Sequence, residues 1–320
     1  MQRRYSRILV TGGAGFIGSH IVDRLLTDDF EVTVIDNLST GLLENVAHHQ
    51  DRKDFHFVRG DIRNPNLVKK TMRDVDAVFH EAALTNVTDS VNNPLLTNEV
   101  NVTGTLNLLK ASIDSDVKRF IYASSAAVYG KTRTLPHPED LTPQPISPYG
   151  VSKLAAENYV KVFYEVYGLE TVCLRYFNVY GPRQTYGPYS GVITIFINQF
   201  LGNQPPIIYG DGEQTRDFVN IQDIVDASML ALVEKQAVGE VFNIATGLAT
   251  TVNQLAKALQ KIMSKTNLKP IYKKPRTGDI RHSYADVSKA RRLLGYEPKF
   301  SLNDGLSKLV KWYIDKASCR

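Results

Sequence analysis

The stretch Ser147-Pro-Tyr-Gly-Val-Ser-Lys153 places a phenol and an ammonium at a spacing suited to proton transfer. Ser147 is a good helix N-cap and Pro148 a good first helical residue, so Tyr149 falls in the first turn and Lys153 one turn later on the same face. A phenol, with an ordinary pKa of about 10, is too weak an acid to serve as a base at neutral pH. A neighbouring ammonium, the helix dipole and a cationic cofactor ring would each stabilise the phenolate and bring that value down. A hydroxyl partner lies in Tyr122-Ala-Ser-Ser-Ala-Ala-Val-Tyr-Gly130, where a strand ends in a loop. Ser124 or Ser125 could aim a reacting hydroxyl at Tyr149, and the spacing to the following Val-Tyr-Gly favours Ser125.

A second chemical feature is Thr11-Gly-Gly-Ala-Gly-Phe-Ile-Gly18, set between a strand at the start of the chain and a helix over about 15–26. Gly12, Gly15 and Gly18 allow a tight turn, close approach of backbone to a pyrophosphate and close helix–strand contact, while the helix N-terminus, entered through Phe16 and Ile17, supplies amides. About 20 residues further on, Asp36-Asn37 ends the second strand. A carboxylate there accepts from ribose hydroxyls and repels a 2′-phosphate, which selects NAD over NADP. Asp61-Ile62, Ala82-Ala83-Leu84 and Asn101 stand where adenine, ribose and backbone contacts would be made.

These residues need a scaffold. Short β-branched runs at Arg7–Thr11, Glu31–Asp36, Phe55–Arg59, Ala77–His80, 118–123 and 171–175 alternate with helical patterns, which predicts a Rossmann-type doubly wound parallel sheet of the α/β class. Beyond Phe177 the chain turns to Gly- and Pro-containing segments, the mark of a smaller C-terminal α/β lobe that binds substrate. The expected division is 1–177 and 178–320, with a strand near 241–245 returning to the main sheet and helices over 251–264, 286–294 and 302–314. The chain has 320 residues, 43% apolar and 22% charged, with no apolar run long enough to span a bilayer. Its start is basic and briefly apolar, but glycines interrupt it too early for a signal peptide. Two cysteines, Cys173 and Cys319, suit neither a disulfide framework nor a zinc site, and a reducing cytoplasm fits. The net charge is +5, and ten Lys or Arg stand against three Asp or Glu between Lys265 and Lys299. That excess is either a solvated basic face or a sign of a phosphate-bearing ligand, and without interleaved aromatics it does not indicate nucleic acid.

With the glycine loop, Ser-Ser-Ala-Ala-Val-Tyr-Gly and Tyr-Gly-Val-Ser-Lys in this order, the sequence resembles the extended short-chain dehydrogenase/reductases, and within them the UDP-sugar 4-epimerases. The likeness continues through Leu174-Arg-Tyr-Phe-Asn-Val-Tyr-Gly-Pro-Arg183, Gly210-Asp-Gly-Glu-Gln-Thr-Arg-Asp-Phe218 and Arg276-Thr-Gly-Asp-Ile-Arg-His-Ser-Tyr-Ala-Asp286. It implies that Tyr149 removes the C4 hydroxyl proton while hydride passes from C4 to NAD, and that the 4-keto sugar turns over and takes hydride back on its other face. It also implies that Lys153 holds the nicotinamide ribose, that Tyr176-Phe177 lie beside the nicotinamide, and that Asn178, Val192, Tyr209, Arg216, Arg276 and Asp279 clasp the UDP. Arg216 and Arg276 offer forked donors to a diphosphate, and Asp279 an acceptor for a ribose hydroxyl.

Related 4,6-dehydratases and UDP-glucuronate decarboxylases usually carry an acid in the serine loop; here Ala126 and Ala127 stand there, which favours epimerisation. Ser283 occupies a position where epimerases confined to UDP-glucose and UDP-galactose tend to have tyrosine, so UDP-N-acetylglucosamine and UDP-N-acetylgalactosamine are the expected pair, with UDP-glucose and UDP-galactose beside them. The alternatives are an epimerase of UDP-glucose or UDP-glucuronate only, a 4,6-dehydratase, and an NAD-keeping redox sensor without chemistry. Thr85-Asn86 departs from the Gly-Ser of some N-acetylhexosamine-type relatives and could narrow the sugar pocket or add hydrogen bonds. Apolar stripes on the helices over 97–112 and 149–167 suggest a homodimer.

Overall fold

The first strand is apolar on both sides: Ile8 and Val10 pack into one core, Leu9 into another, and all three are buried. Such a strand needs helices above and below it. The computed structural model describes residues 4–184, 191–275 and 280–318, and the fold follows that demand. In chain order come β1 (Arg7–Thr11), α1 (Phe16–Thr27), β2 (Glu31–Asp36), β3 (Phe55–Arg59), α2 (Pro65–Thr71) and β4 (Ala77–His80). Then follow α3 (Val87–Asn92), α4 (Pro94–Asn98), α5 (Gly104–Asp114), β5 (Arg119–Ser125), α6 (Pro148–Tyr167) and β6 (Glu170–Tyr176). Shorter elements succeed them: β7 (Asn178–Tyr180), α7 (Val192–Leu201), β8 (Ile207–Tyr209), β9 (Thr215–Arg216), β10 (Phe218–Asn220) and α8 (Ile221–Val233). The chain then forms β11 (Val241–Ile244), β12 (Thr250–Thr251), α9 (Val252–Ile262), β13 (Ile271–Lys273), β14 (His282–Ser283), α10 (Ser288–Leu294) and α11 (Leu302–Ser318).

Seven strands form one parallel sheet in the order β11-β6-β5-β4-β1-β2-β3. The order reverses on either side of β1, where β2 lies on one flank and β4 on the other. In a doubly wound sheet this opens a crevice at the carboxyl ends of the strands. α1 and α8 cover one face, where Ile21, Leu25, Ile224 and Val225 meet the β1 and β2 side chains; α5 and α6 cover the other, with Leu108, Leu109, Ala156 and Val160 against Val78, Phe120 and Tyr122. Each of the Val, Leu, Ile and Phe side chains among these contributes about 1.5–3 kcal/mol by leaving water.

Two details matter for the site. β5 and β6 run further than expected, to Ser125 and Tyr176, so the serines and Tyr176 leave directly from strand ends. The expected continuous helix over 97–112 is divided, with a π-helical turn at Glu99–Thr103 between α4 and α5. Beyond β6 a third core forms around Phe196, Phe200, Leu255, Leu259, Leu306 and Leu309, bordered by two- and three-stranded sheets. Among the described residues no helix is long and apolar enough to cross a membrane.

Candidate active site

A cleft of about 790 Å³ opens at the carboxyl ends of the strands. Its floor is the glycine loop. Gly12 adopts φ +67°, and a Cβ on it would stand 2.8 Å from the Ala82 backbone. A Cβ on Gly18 would lie 2.3 Å from the Gly12 carbonyl oxygen, so α1 seats on the loop more closely than any side chain permits. Gly15 caps α1 without a side-chain hydrogen bond, leaving the helix N-terminus to be completed by an anion. Phe16, Ile17 and Gly18 line the cleft above it. The cradle therefore fits a dinucleotide diphosphate.

Asp36 ends β2 at the cleft wall and accepts from the amides of Ala14 (3.0 Å) and Leu38 (2.8 Å). Burial raises its pKa, and those two amides oppose the rise. The same contact holds Leu38 at φ 58°, a strained backbone for a bulky residue, directly beside the cleft. Asn37 donates to Asp61 Oδ2 at 2.9 Å, and Arg63 pairs with the same carboxylate, whose pKa falls to about 2. Asp61, Ile62, Ala82 and Ala83 all line the cleft. Asn101, expected to touch the cofactor, does not line it. Its buried side chain accepts from Leu84 N and donates to Leu84 O and to Ser152 Oγ, tying the loop after β4 to α6 from within the π-helical turn. The physical reason is that an amide with both ends satisfied inside protein has little left for a ligand.

The opposite wall carries the proton chemistry. Ser147 accepts from Gly150 N at 3.1 Å and Pro148 starts α6, which sets Tyr149 in its first turn. Ser90 Oγ accepts from Tyr149 N at 3.1 Å. Ser125 lines the cleft with Tyr149, lowers the pKa of its phenol and accepts from Ala127 N at 3.1 Å, whereas Ser124 donates to Glu157 Oε2 at 2.5 Å. Lys153 Nζ donates to the Ala123 carbonyl at 2.8 Å and lies 5.0 Å from the centre of the Tyr122 ring. Burial raises the Tyr149 pKa and the Ser125 hydrogen bond lowers it. The fall expected from the sequence is not found in the chain alone, because desolvation outweighs what the Ser125 hydroxyl contributes.

Glu81, which the sequence reading passed over, also lines this wall. Tyr176 Oη donates to its Oε1 at 3.2 Å. Burial pushes the carboxyl up to about 7, against the pull of Lys153, and burial pushes Lys153 down to about 8, against the pull of Glu81. Nothing in the pattern of the sequence marks Glu81, because its partners arrive from β6 and α6.

Behind the wall Glu157, one turn after Lys153, is gripped by Arg175 at 3.0 and 2.6 Å. Arg175 also donates to Tyr129 Oη, which donates to Asn243 Oδ1. Phe177 and Gly191 line the cleft, whereas their chain neighbours Asn178 and Val192, expected at the substrate, lie outside its lining. Asn178 itself donates to the Asp217 carbonyl. Arg216 and Ser283 are register partners on β9 and β14, and Tyr209 ends β8; these three lie outside the cleft lining. Arg276 and Asp279 fall outside the described residues. So does nothing else in the expected set.

A family model described as GDP-mannose 4,6 dehydratase matches residues 9–309. The chain belongs to this extended short-chain dehydrogenase/reductase family. Among curated relatives, UDP-glucose 4-epimerase of Mycolicibacterium smegmatis is 37% identical over 97% of this chain and 99% of its own. Of the solved structures, UDP-glucose 4-epimerase of Thermotoga maritima with UDP-glucose is 43% identical, with a TM-score of 0.92 over 97% of this chain and 99% of that one. UDP-N-acetylglucosamine 4-epimerase of Methanobrevibacter ruminantium, in complex with UDP-N-acetylmuramic acid, is 39% identical, with a TM-score of 0.93 over 98% and 100%. Other family members run different reactions: a dTDP-glucose 4,6-dehydratase of Streptomyces venezuelae, solved with NAD, is 33% identical with a TM-score of 0.90 over 98% of each chain.

Proposed function

We propose that the protein is an NAD-dependent UDP-hexose 4-epimerase that interconverts UDP-N-acetylglucosamine and UDP-N-acetylgalactosamine, and also UDP-glucose and UDP-galactose. The observation that carries this is the Tyr149–Ser125 pair beside Lys153 in a dinucleotide-shaped cleft, with only Ala126 and Ala127 in the adjoining loop. The glycine loop of Gly12, Gly15 and Gly18, with Asp36, would hold NAD, which when bound would supply a hydride acceptor and donor for the sugar C4. The chain manages the proton. Tyr149 takes it from the C4 hydroxyl and returns it, Ser125 aims that hydroxyl, and Lys153 holds the phenolate charge and the nicotinamide ribose. Without an acid in the serine loop to drive elimination, the 4-keto sugar has hydride return as its exit. Asn178, Val192, Tyr209, Arg216, Arg276 and Asp279 clasp the UDP, and the two lobes divide near residue 177. Ser283, buried and small, leaves room for a 2-acetamido group as the sugar turns over.

A UDP-sugar panel without added NAD tests the assignment. A product of unchanged mass and altered retention supports it, and loss of water or carbon dioxide overturns it. A second reading, epimerisation of UDP-glucose or UDP-glucuronate only, draws on Thr85 and Asn86, both in the cleft lining; the same panel separates the two. The chain acts as a homodimer in this reading: Val151, Tyr159, Val162 and Val166 form an exposed apolar stripe on α6 beside Leu95 of α4. Val162→Glu with Val166→Glu halves the mass seen by light scattering.

A further inference from the structure

Glu81 has no part in the proton path just described, yet the fold places its carboxyl in the cleft wall with care. It is the first residue past β4, and its amide donates to the Thr11 carbonyl at 3.2 Å. Tyr176 comes from the end of β6, two strands away, and its hydroxyl joins Glu81 Oε1 to Ser228 Oγ of α8. The side chain is therefore fixed across the strand ends. Lys153 docks on the carbonyl of Ala123 in the intervening strand β5. The partners in contact with its ammonium are neutral, that carbonyl and the Tyr122 ring; Glu81 makes no direct ion pair with it, but follows His80, which pairs with Tyr122, and so stands beside Ala123 in the same cleft wall.

We propose that, within the epimerase reading above, Glu81 is the counter-charge of Lys153, a positioning residue that keeps the lysine an ammonium once ligands fill the cleft. A buried ammonium facing only neutral groups tends to give up its proton, and expulsion of water on ligand binding strengthens that tendency. A lysine that has lost its charge no longer stabilises the Tyr149 phenolate. The carboxyl pushed up to about 7 and the lysine pushed down to about 8 each feel the other's charge in the sense that favours the ion pair. The titratable groups around Glu81 are Lys153 and Tyr149 from α6, Tyr122 from β5, Tyr176 from β6 and, on its own strand, His80. His80 is held between Thr11 and Thr105 hydroxyls and pushed down to about 3, so it stays uncharged at neutral pH. The α8 contribution is the uncharged Ser228.

Selective isotope labelling of lysine, with Lys153→Arg to assign the signal, reads the Lys153 titration by NMR in the full chain, alongside the pH profile of kcat. Glu81→Gln keeps the size and an acceptor for Tyr176 but no charge. It lowers the Lys153 midpoint, and moves the alkaline limb of kcat to lower pH by the same amount, about one pH unit or more. Glu81→Asp retains the charge and restores most of both. Should the glutamine variant fail to fold, Glu81→Met supplies the neutral comparison. A neutral variant whose Lys153 midpoint matches that of the wild type overturns the proposal, whatever its turnover. A wild-type protein without epimerase activity removes the reaction but not the lysine titration, which then decides the charge pairing alone.

Discussion

The wall that carries Tyr149 and Lys153 and the lobe that carries Tyr209, Arg216 and Ser283 are built differently. Behind the wall, a five-residue polar network of Ser124, Glu157, Arg175, Tyr129 and Asn243 locks α6 to β5, β6 and β11. In the lobe, β9 and β14 are two-residue strands joined by one short register, Thr215 to His282 and Arg216 to Ser283. Rigid backing suits groups that must meet the same atoms in every turnover, whereas short strands and loops suit a surface that admits one sugar and refuses another. Under the proposed function, chemistry and selectivity are held by separate parts of this fold, so they should fail separately.

The hardest break is at the wall. Tyr149→Phe lowers kcat by about a thousandfold on every accepted UDP-sugar, within the range for losing a general acid–base group, while the NAD content of the purified protein is unchanged; a variant with more than a tenth of wild-type turnover removes the role given to Tyr149. Glu157→Gln leaves Arg175 buried without a counter-charge and costs about 3 kcal/mol of stability, read as a fall in denaturant midpoint. A midpoint equal to that of the wild type would show that the network is not what fixes the wall. In the lobe the effect is smaller and selective. Ser283→Tyr cuts kcat/KM for UDP-N-acetylgalactosamine roughly tenfold, the scale of a steric penalty of one or two kcal/mol, and spares UDP-galactose; equal loss on both sugars sinks the gatekeeper role.

The smallest effect sharpens the wall itself. Glu81 holds its proton up to about pH 7 in the folded chain and releases it near the ordinary glutamate value of 4.5 when unfolded. Between those values the folded state binds more protons than the unfolded one, so stability falls as pH rises. The contribution is fully present below about pH 4.5 and gone above about pH 7, on the order of 1–2 kcal/mol for a group in an open cleft. Glu81→Gln removes that slope from the ligand-free protein, measured as the difference between the two unfolding curves across pH.

The sequence was legible where the determinants are local. The Ser147-Pro148 start of α6, the Gly12/Gly15/Gly18 loop and the β-branched runs each carry their own signal within a few residues, and the sheet assembles from them with β11 returning beside β6. It was opaque where contacts join distant segments. Glu81 meets Tyr176 across 95 residues, Ser124 meets Glu157 across 33, and Thr215 meets His282 across 67. Asn101 shows the same limit from the other side: its residue type suggests a ligand contact, but the π-helical turn directs the amide inward to Leu84 and Ser152. The Tyr149 pKa depends on the balance between burial and the Ser125 hydroxyl, which spacing alone does not reveal.

The central claim is that hydride leaves C4 and comes back to C4. UDP-N-acetylglucosamine carrying deuterium at C4 tests it most directly. The account predicts UDP-N-acetylgalactosamine with the deuterium still on C4 and none lost to solvent. Deuterium found at C6, or washed out into water, would contradict it.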